Sequence, residues 1–245
     1  MALHPHRYLD LIQSEAERMA TLAPPALDVP VPPCPGWNVA EVIRHTASVF
    51  GHKVATIRLG RQPRAGEWHA TPPESRELVA WFRSALRELL DELASHDPDE
   101  QTYSWWPPDQ TVGFWYRRMA LETVVHRVDV ESAVSAVTPV DAALAVDGVD
   151  EVLTVFLETR HPDDDVGTAG VVDVAADGTA WRVRMAERGV LVQRAATDGA
   201  SARLSGPAGP LFLYLWGRSP LEGLGVDGDT GAILELRRRL VAATQ

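Results

Sequence analysis

The segment RRMALETVVHRVDVESA, Arg117–Ala133, sets a carboxylate and an imidazole into an apolar helical stripe. Trp115 and Met119 come before Glu122 and His126 on that stripe, and Val130 and Ala133 follow. The spacing predicts a helix whose inward face carries both polar groups, four residues and one turn apart. Burying either group without a partner is costly, so both need something to meet inside the fold.

Three more helices precede this one. Residues 8–22 place Leu9, Ile12, Ala16, Met19 and Leu22 at helical spacing. The Pro-rich stretch Pro24–Pro35 excludes helix and predicts an extended connection. Asn38 then opens a second helix. Its side chain can accept from an orphan amide of the first turn, and Glu41 can reach back to it. That helix runs to about Leu59 and carries His45 on the stripe of Val42 and Val49. After a Gly/Pro-containing loop at 60–73, a third helix over 74–95 aligns Leu78, Trp81 and Phe82, Ala85, Leu89 and Leu93. The Trp/Pro-rich loop YSWWPPDQTVG leads to the fourth helix, 114–137. Four helices of three to six turns with unequal loops predict an up-and-down four-helix bundle.

The second half changes period. Asp141–Thr159 reads as one helix, and GVVDVAADGTAWRVRMAERGVLVQR then alternates apolar and polar residues. Asp177-Gly178 marks a hairpin and Arg188-Gly189 a second turn. ASARLSGPAGPLFLYLWGR reads as a strand, a turn and a short apolar helix, and the tail from Thr230 is helical. The chain therefore divides into a mainly α bundle, residues 1–140, and a small α+β domain, residues 141–245.

Composition limits the function classes. The chain has 245 residues, 45% of them hydrophobic and 23% charged, which is ordinary globular usage. A net charge of −11 argues against nucleic acid or an anionic membrane as partner. No apolar run approaches the roughly 18 residues of a membrane span, and the N-terminus does not read as a signal peptide. One cysteine, Cys34, cannot make an internal disulfide, so a cytoplasmic location is expected. Arg237-Arg238-Arg239 reads as cations suited to the last turn of a helix. Lys53 is the only lysine, a skew toward arginine with no physical reading in itself.

A histidine from the second helix and a Glu-x-x-x-His pair from the fourth could meet inside a bundle. Three such donors can hold zinc and leave a fourth position open, the pattern of a catalytic site. The plainer reading is an i,i+4 contact plus a satisfied core histidine. His52, seven residues beyond His45, lies about 10 Å along the axis and cannot share an ion with it. Asp129, near His126, is either an orienting partner for that histidine or a surface carboxylate. Cys34 has no cation near it in sequence and reads as a packing residue. Gly223–Gly228 matches G-x-G-x-x-G but follows a Pro-containing turn rather than a strand. Asp227–Gly231 resembles a calcium loop, yet Arg238 stands where a glutamate is needed. Asp163–Asp165 reads as a solvated loop.

The segments PCPGWNVAEVIRHTA, ALETVVHRVD and RLSGPAGPLFLYLWGR with the following VDGD together resemble the mycothiol-dependent maleylpyruvate isomerase family of actinobacteria. The resemblance implies a DinB-like metal-binding bundle followed by a sterol-carrier-like domain. It puts zinc, or another divalent metal, on His45, Glu122 and His126, and it makes mycothiol the thiol cosubstrate. It also gives Arg218 a catalytic role toward a small substrate, where a guanidinium suits a carboxylate. The implied chemistry is thiol activation for cis–trans isomerisation of a maleylpyruvate-like substrate. An S-transferase without isomerase activity remains open, as does a non-catalytic binding protein built around the apolar run Leu211–Trp216. The chain is expected to act as a monomer or a homodimer.

Overall fold

In the computed structural model, which describes residues 3–68, 75–159, 166–194 and 199–244, five α-helices precede a five-stranded sheet, and the first four form a bundle. Asp163–Asp165 and residues 69–74 of the loop before the third helix lie outside the described residues. No described helix is long and apolar enough to cross a membrane.

Helix α1, Pro5–Leu22, begins on a proline, whose missing N–H costs nothing in a first turn. It buries Leu11, Ile12, Ala16 and Met19. The Pro-rich connection is not wholly extended, because Pro24–Ala26 forms a short 3₁₀ turn. Consecutive prolines fit there because the first positions of such a turn donate no hydrogen bond. Helix α2, Val39–Leu59, carries the full capping box: Glu41 N donates to Asn38 Oδ1 (3.0 Å) and Asn38 N donates to Glu41 Oε2 (2.6 Å). Gly60, at φ 60°, ends it in the left-handed region.

Helix α3, Ser75–Ala94, buries Leu78, Phe82, Leu86, Leu89 and Leu93; Leu86 takes the core position expected of Ala85, which is half-buried. Helix α4, Val112–Val134, is buried on almost every side. Each of α1 and α2 packs against both α3 and α4. The two helix pairs joined by the Pro-rich and Trp/Pro-rich connections are therefore the diagonal ones, and such connections must be long because they cross the bundle.

A buried ion network ties α1 to α4. Glu131, fully buried, accepts from Arg18 Nε (2.8 Å), Arg127 Nη1 (2.7 Å) and the Thr138 backbone N–H (2.8 Å). Arg127 also pairs with Glu15.

The chain forms two compact units that divide between Thr138 and Pro139. In the second, Asp141 caps helix α5, Ala142–Glu151, by accepting from Leu144 N at 2.9 Å. The expected single helix widens over Val152–Leu157 into a π-helical turn. Strands β1 (Gly170–Ala176) and β2 (Thr179–Met185) form the hairpin expected from Asp177-Gly178, with φ 44° and 82° at the two turn residues. β3 (Val190–Gln193), β4 (Ala202–Gly206) and β5 (Gly225–Gly228) complete the order β3-β2-β1-β4-β5, in which only β1 and β4 run parallel. The Gly223–Gly228 motif thus belongs to an edge strand and the turn before it.

Helix α6, Ala208–Leu215, is the apolar run, buried as core. It ends in a Schellman motif, with Arg218 N donating to Leu213 O (2.7 Å) and Gly217 N to Tyr214 O (2.9 Å). Helix α7, Thr230–Thr244, corrects the reading of the arginine run, which sits mid-helix rather than in the last turn. Leu240 is buried beyond the run, and that apolar anchor carries the helix onward. Arg239 is fully buried, donating to Glu235 Oε1 (2.8 Å) and to the carbonyl of Ala186 (2.6 Å).

Removing one member of a buried ion pair leaves the other charge uncompensated. Glu131→Ala should lower the unfolding free energy by about 3 kcal/mol in urea titrations. A loss below about 1 kcal/mol would mean that Glu15 alone satisfies Arg127.

Candidate metal centre

The Asn38 capping box fixes where α2 begins, and so which residues face α4. His45 lies two turns further on, and α4 meets it with Glu122 and His126. One donor atom from each of these three residues lies within 4.8 Å of the other two. Glu122 Oε1 is 3.3 Å from His45 Nε2 and 3.1 Å from His126 Nε2. A tetrahedral zinc with N and O ligands at about 2.0–2.1 Å sets its donors about 3.3 Å apart, so these separations fit a shared ion.

Asp129 resolves in favour of the orienting role. It is fully buried, with Oδ2 2.9 Å from His126 Nδ1. A proton held there on Nδ1 leaves Nε2 free as a ligand, the arrangement common around zinc histidines. Burial opposes ionisation of Glu122, but the charges of His126 and Arg118 and the hydrogen bonds from both histidines hold its carboxyl well below the usual range. Burial also opposes a charge on His126. The Glu122 charge and the hydrogen bond to Asp129 outweigh it and raise the imidazole to about 9 in the metal-free chain.

Three neighbours were not singled out from sequence as parts of the site. Arg118 pairs with Glu122 Oε2, leaving Oε1 to the histidines; its spacing, four residues before Glu122, was the available signal. Trp37 stands 5.1 Å, ring to ring, from His45 and 6.5 Å from His126. It is placed by a turn in which Cys34 N donates to Val31 O and Trp37 N donates to Cys34 O. Cys34 itself is half-buried, and its backbone is what shapes the site's wall. Lys53 lies over Trp115, 4.9 Å from the ring centroid, with Nζ 3.2 Å from His52 Nδ1. Burial lowers its ammonium to about 8, against the pull of Glu122 and with the push of Arg118.

His52 does not join the three donors; its Nδ1 faces Lys53 and Thr56. The His45 side chain is 39% exposed while those of Glu122 and His126 are 14% and 9% exposed, so the set opens toward solvent on the His45 side. Arg218 belongs to the C-terminal unit, where it is half-buried and its Nη1 donates to Trp216 O at 2.8 Å.

Lys53 is protonated in both folded and unfolded chains below pH 8 and neutral in both above 10.5. Its burial cost is therefore full below 8 and fades as pH rises toward 10.5. In metal-stripped protein, Lys53→Met should gain up to about 3 kcal/mol at pH 7, and the gain should shrink steadily above pH 8. A pH-independent difference between the two proteins would contradict a depressed Lys53.

Two family models match the chain in tandem. Residues 9–131 match "Mycothiol maleylpyruvate isomerase N-terminal domain", and residues 143–235 match "MDMPI C-terminal domain". Among solved structures, a crystal structure of the mycothiol-dependent maleylpyruvate isomerase is similar at 12% identity with a TM-score of 0.66, covering 93% of this chain and 95% of that one. A histidine-to-alanine mutant of that isomerase is similar at 11% identity with a TM-score of 0.62 and the same coverage. At such identities the likeness speaks for the fold. A search of curated proteins gives no significant match.

Proposed function

The chain belongs to the mycothiol maleylpyruvate isomerase family, and from that premise we propose that it is a zinc-dependent enzyme that activates mycothiol against a small electrophile. The observation that carries this reading is the convergence of His45, Glu122 and His126 on one point with zinc-like spacing. Zinc held there would supply a Lewis acid that makes a thiol thiolate at neutral pH.

The chain's own residues prepare that site. His45 and His126 each offer Nε2, and Glu122 offers Oε1 while Arg118 occupies Oε2. Asp129 holds the His126 ring in register through Nδ1. Trp37 covers the two imidazoles and limits water, and the exposed side of His45 leaves room for a thiol to arrive. Arg218 is proposed to take a carboxylate of the electrophile through its guanidinium.

In the isomerase form, the thiolate adds to a cis double bond conjugated to a carbonyl, the new single bond rotates, and elimination returns the trans product and the thiol. In the transferase form the sulfur stays attached. Both need a metal, a thiol pocket and a group that orients the electrophile, so the product decides between them. Neither form calls for nucleic acid or a membrane as partner, in keeping with the net charge of −11.

Protein from zinc-replete cells should carry about one equivalent of zinc, the stoichiometry of a three-donor catalytic site. His45→Ala should lose the metal and the activity while keeping its helical circular dichroism. Full zinc occupancy in that variant would remove His45 from the ligand set. Asp129→Asn should weaken zinc binding about 10- to 100-fold in competition with a chromophoric chelator. With mycothiol and maleylpyruvate, a product of unchanged mass marks an isomerase; with a bimane electrophile, a thiol adduct marks a transferase.

A further inference from the structure

Three consecutive arginines on α7 have unlike surroundings. Arg238 and Arg239 both pair with Glu235, and elsewhere in the same unit Arg182 pairs with Asp173 and Arg194 with Asp150. Arg237 pairs with no carboxylate among the described residues. Its Nη1 is buried without a hydrogen-bond partner. Burial lowers its pKa, and the charged or titratable groups that act on it are Tyr214 and Arg218, the second a like charge.

Tyr214 has the same deficit. It is only 5% exposed, and its hydroxyl is buried with no partner. The backbone makes room for the guanidinium: Gly217 carries no Cβ, and a methyl group built there would overlap Arg237 Nη2. Gly217 is the left-handed residue that ends α6, at φ 72°, and Arg218 follows it directly.

A buried N–H and a buried O–H that lack acceptors each carry a desolvation cost of about 1–3 kcal/mol. The like charge of Arg218, close enough to act on Arg237, adds repulsion. A ligand that only accepts hydrogen bonds and carries negative charge relieves all of this at once. We propose that Tyr214, Arg237 and Arg218 form a binding site for the oxyanion of a small ligand, a carboxylate or a phosphate. Tyr214 Oη and Arg237 Nη1 donate to it, and Arg218 adds charge from the adjoining turn. The site rests on the C-terminal unit alone and needs neither metal nor thiol. It extends the role given to Arg218 to two residues that the family resemblance does not supply.

The test titrates full-length zinc-replete protein and its His45→Ala variant with malonate and, separately, inorganic phosphate at constant ionic strength, reading calorimetric binding and melting temperature. Saturable millimolar binding is expected for at least one of the two anions, equal in wild type and His45→Ala, and the anion that binds names the ligand class. Arg237→Met should weaken it at least about tenfold, which is about 1.4 kcal/mol. Without anion, that variant should melt no lower than wild type, since it removes a half-buried cation with no carboxylate partner among the described residues. Tyr214→Phe, which deletes one oxygen, should weaken binding several-fold with the fold intact, and it decides the matter should Arg237→Met fold poorly. Absence of saturable binding by wild type, unchanged affinity in both Arg237→Met and Tyr214→Phe, or loss of binding in His45→Ala would each overturn the proposal.

Discussion

A single carboxylate oxygen holds the bundle's polar interior together. Glu122 Oε1 faces His45 Nε2 from α2 and His126 Nε2 from its own helix, while Oε2 is taken by Arg118. A buried carboxylate must be matched, and here it is matched on both oxygens by groups from two helices. Any rotation of α2 that carried His45 away would leave Glu122 with a half-used acceptor in a low-dielectric interior. The capping box at Asn38 guards against that error, because it fixes the first residue of α2 and so the angular phase of everything after it.

Around this point the fold sorts its charges. Arg118 and Lys53 gather beside Glu122, and the Arg127–Glu131 network is kept separate on the side facing α1. The two groups differ in their degree of completion. The Glu131 oxygens are saturated by protein donors, as suits a strut. The donors at Glu122 converge on a shared point and open on one side, as suits a site that meets a ligand.

Much of this was legible because it depends on local rules. The capping box, the Asp177-Gly178 hairpin and the Glu122/His126 spacing each follow from residues within a few positions of one another. Features set by tertiary packing were not. Leu86 rather than Ala85 lines the core because a neighbouring helix determines which side of a stripe is deepest. Arg239 reads as a surface cation until the carbonyls of Ala186, Thr168 and Gly189 surround it, and those come from 50 to 71 residues away in sequence. The π-helical turn at Val152–Leu157 and the glycine-bounded β5 lack any period that could announce them. Asp129 could be placed one turn from His126 by counting, but its burial is a property of the assembled bundle.

The diagonal arrangement of the helices also sets how far apart in sequence the groups that meet at the site lie. His45 and Glu122 are 77 residues apart, with α3 and both of its connections between them. Their approach closes a long loop, and its entropy must be met by packing that already holds the ends together. Neither α2 nor α4 alone, nor the two joined by a disordered segment, presents the three donors at bonding distance. The full donor set is therefore a property of the finished bundle, because α4 alone supplies only Glu122 and His126.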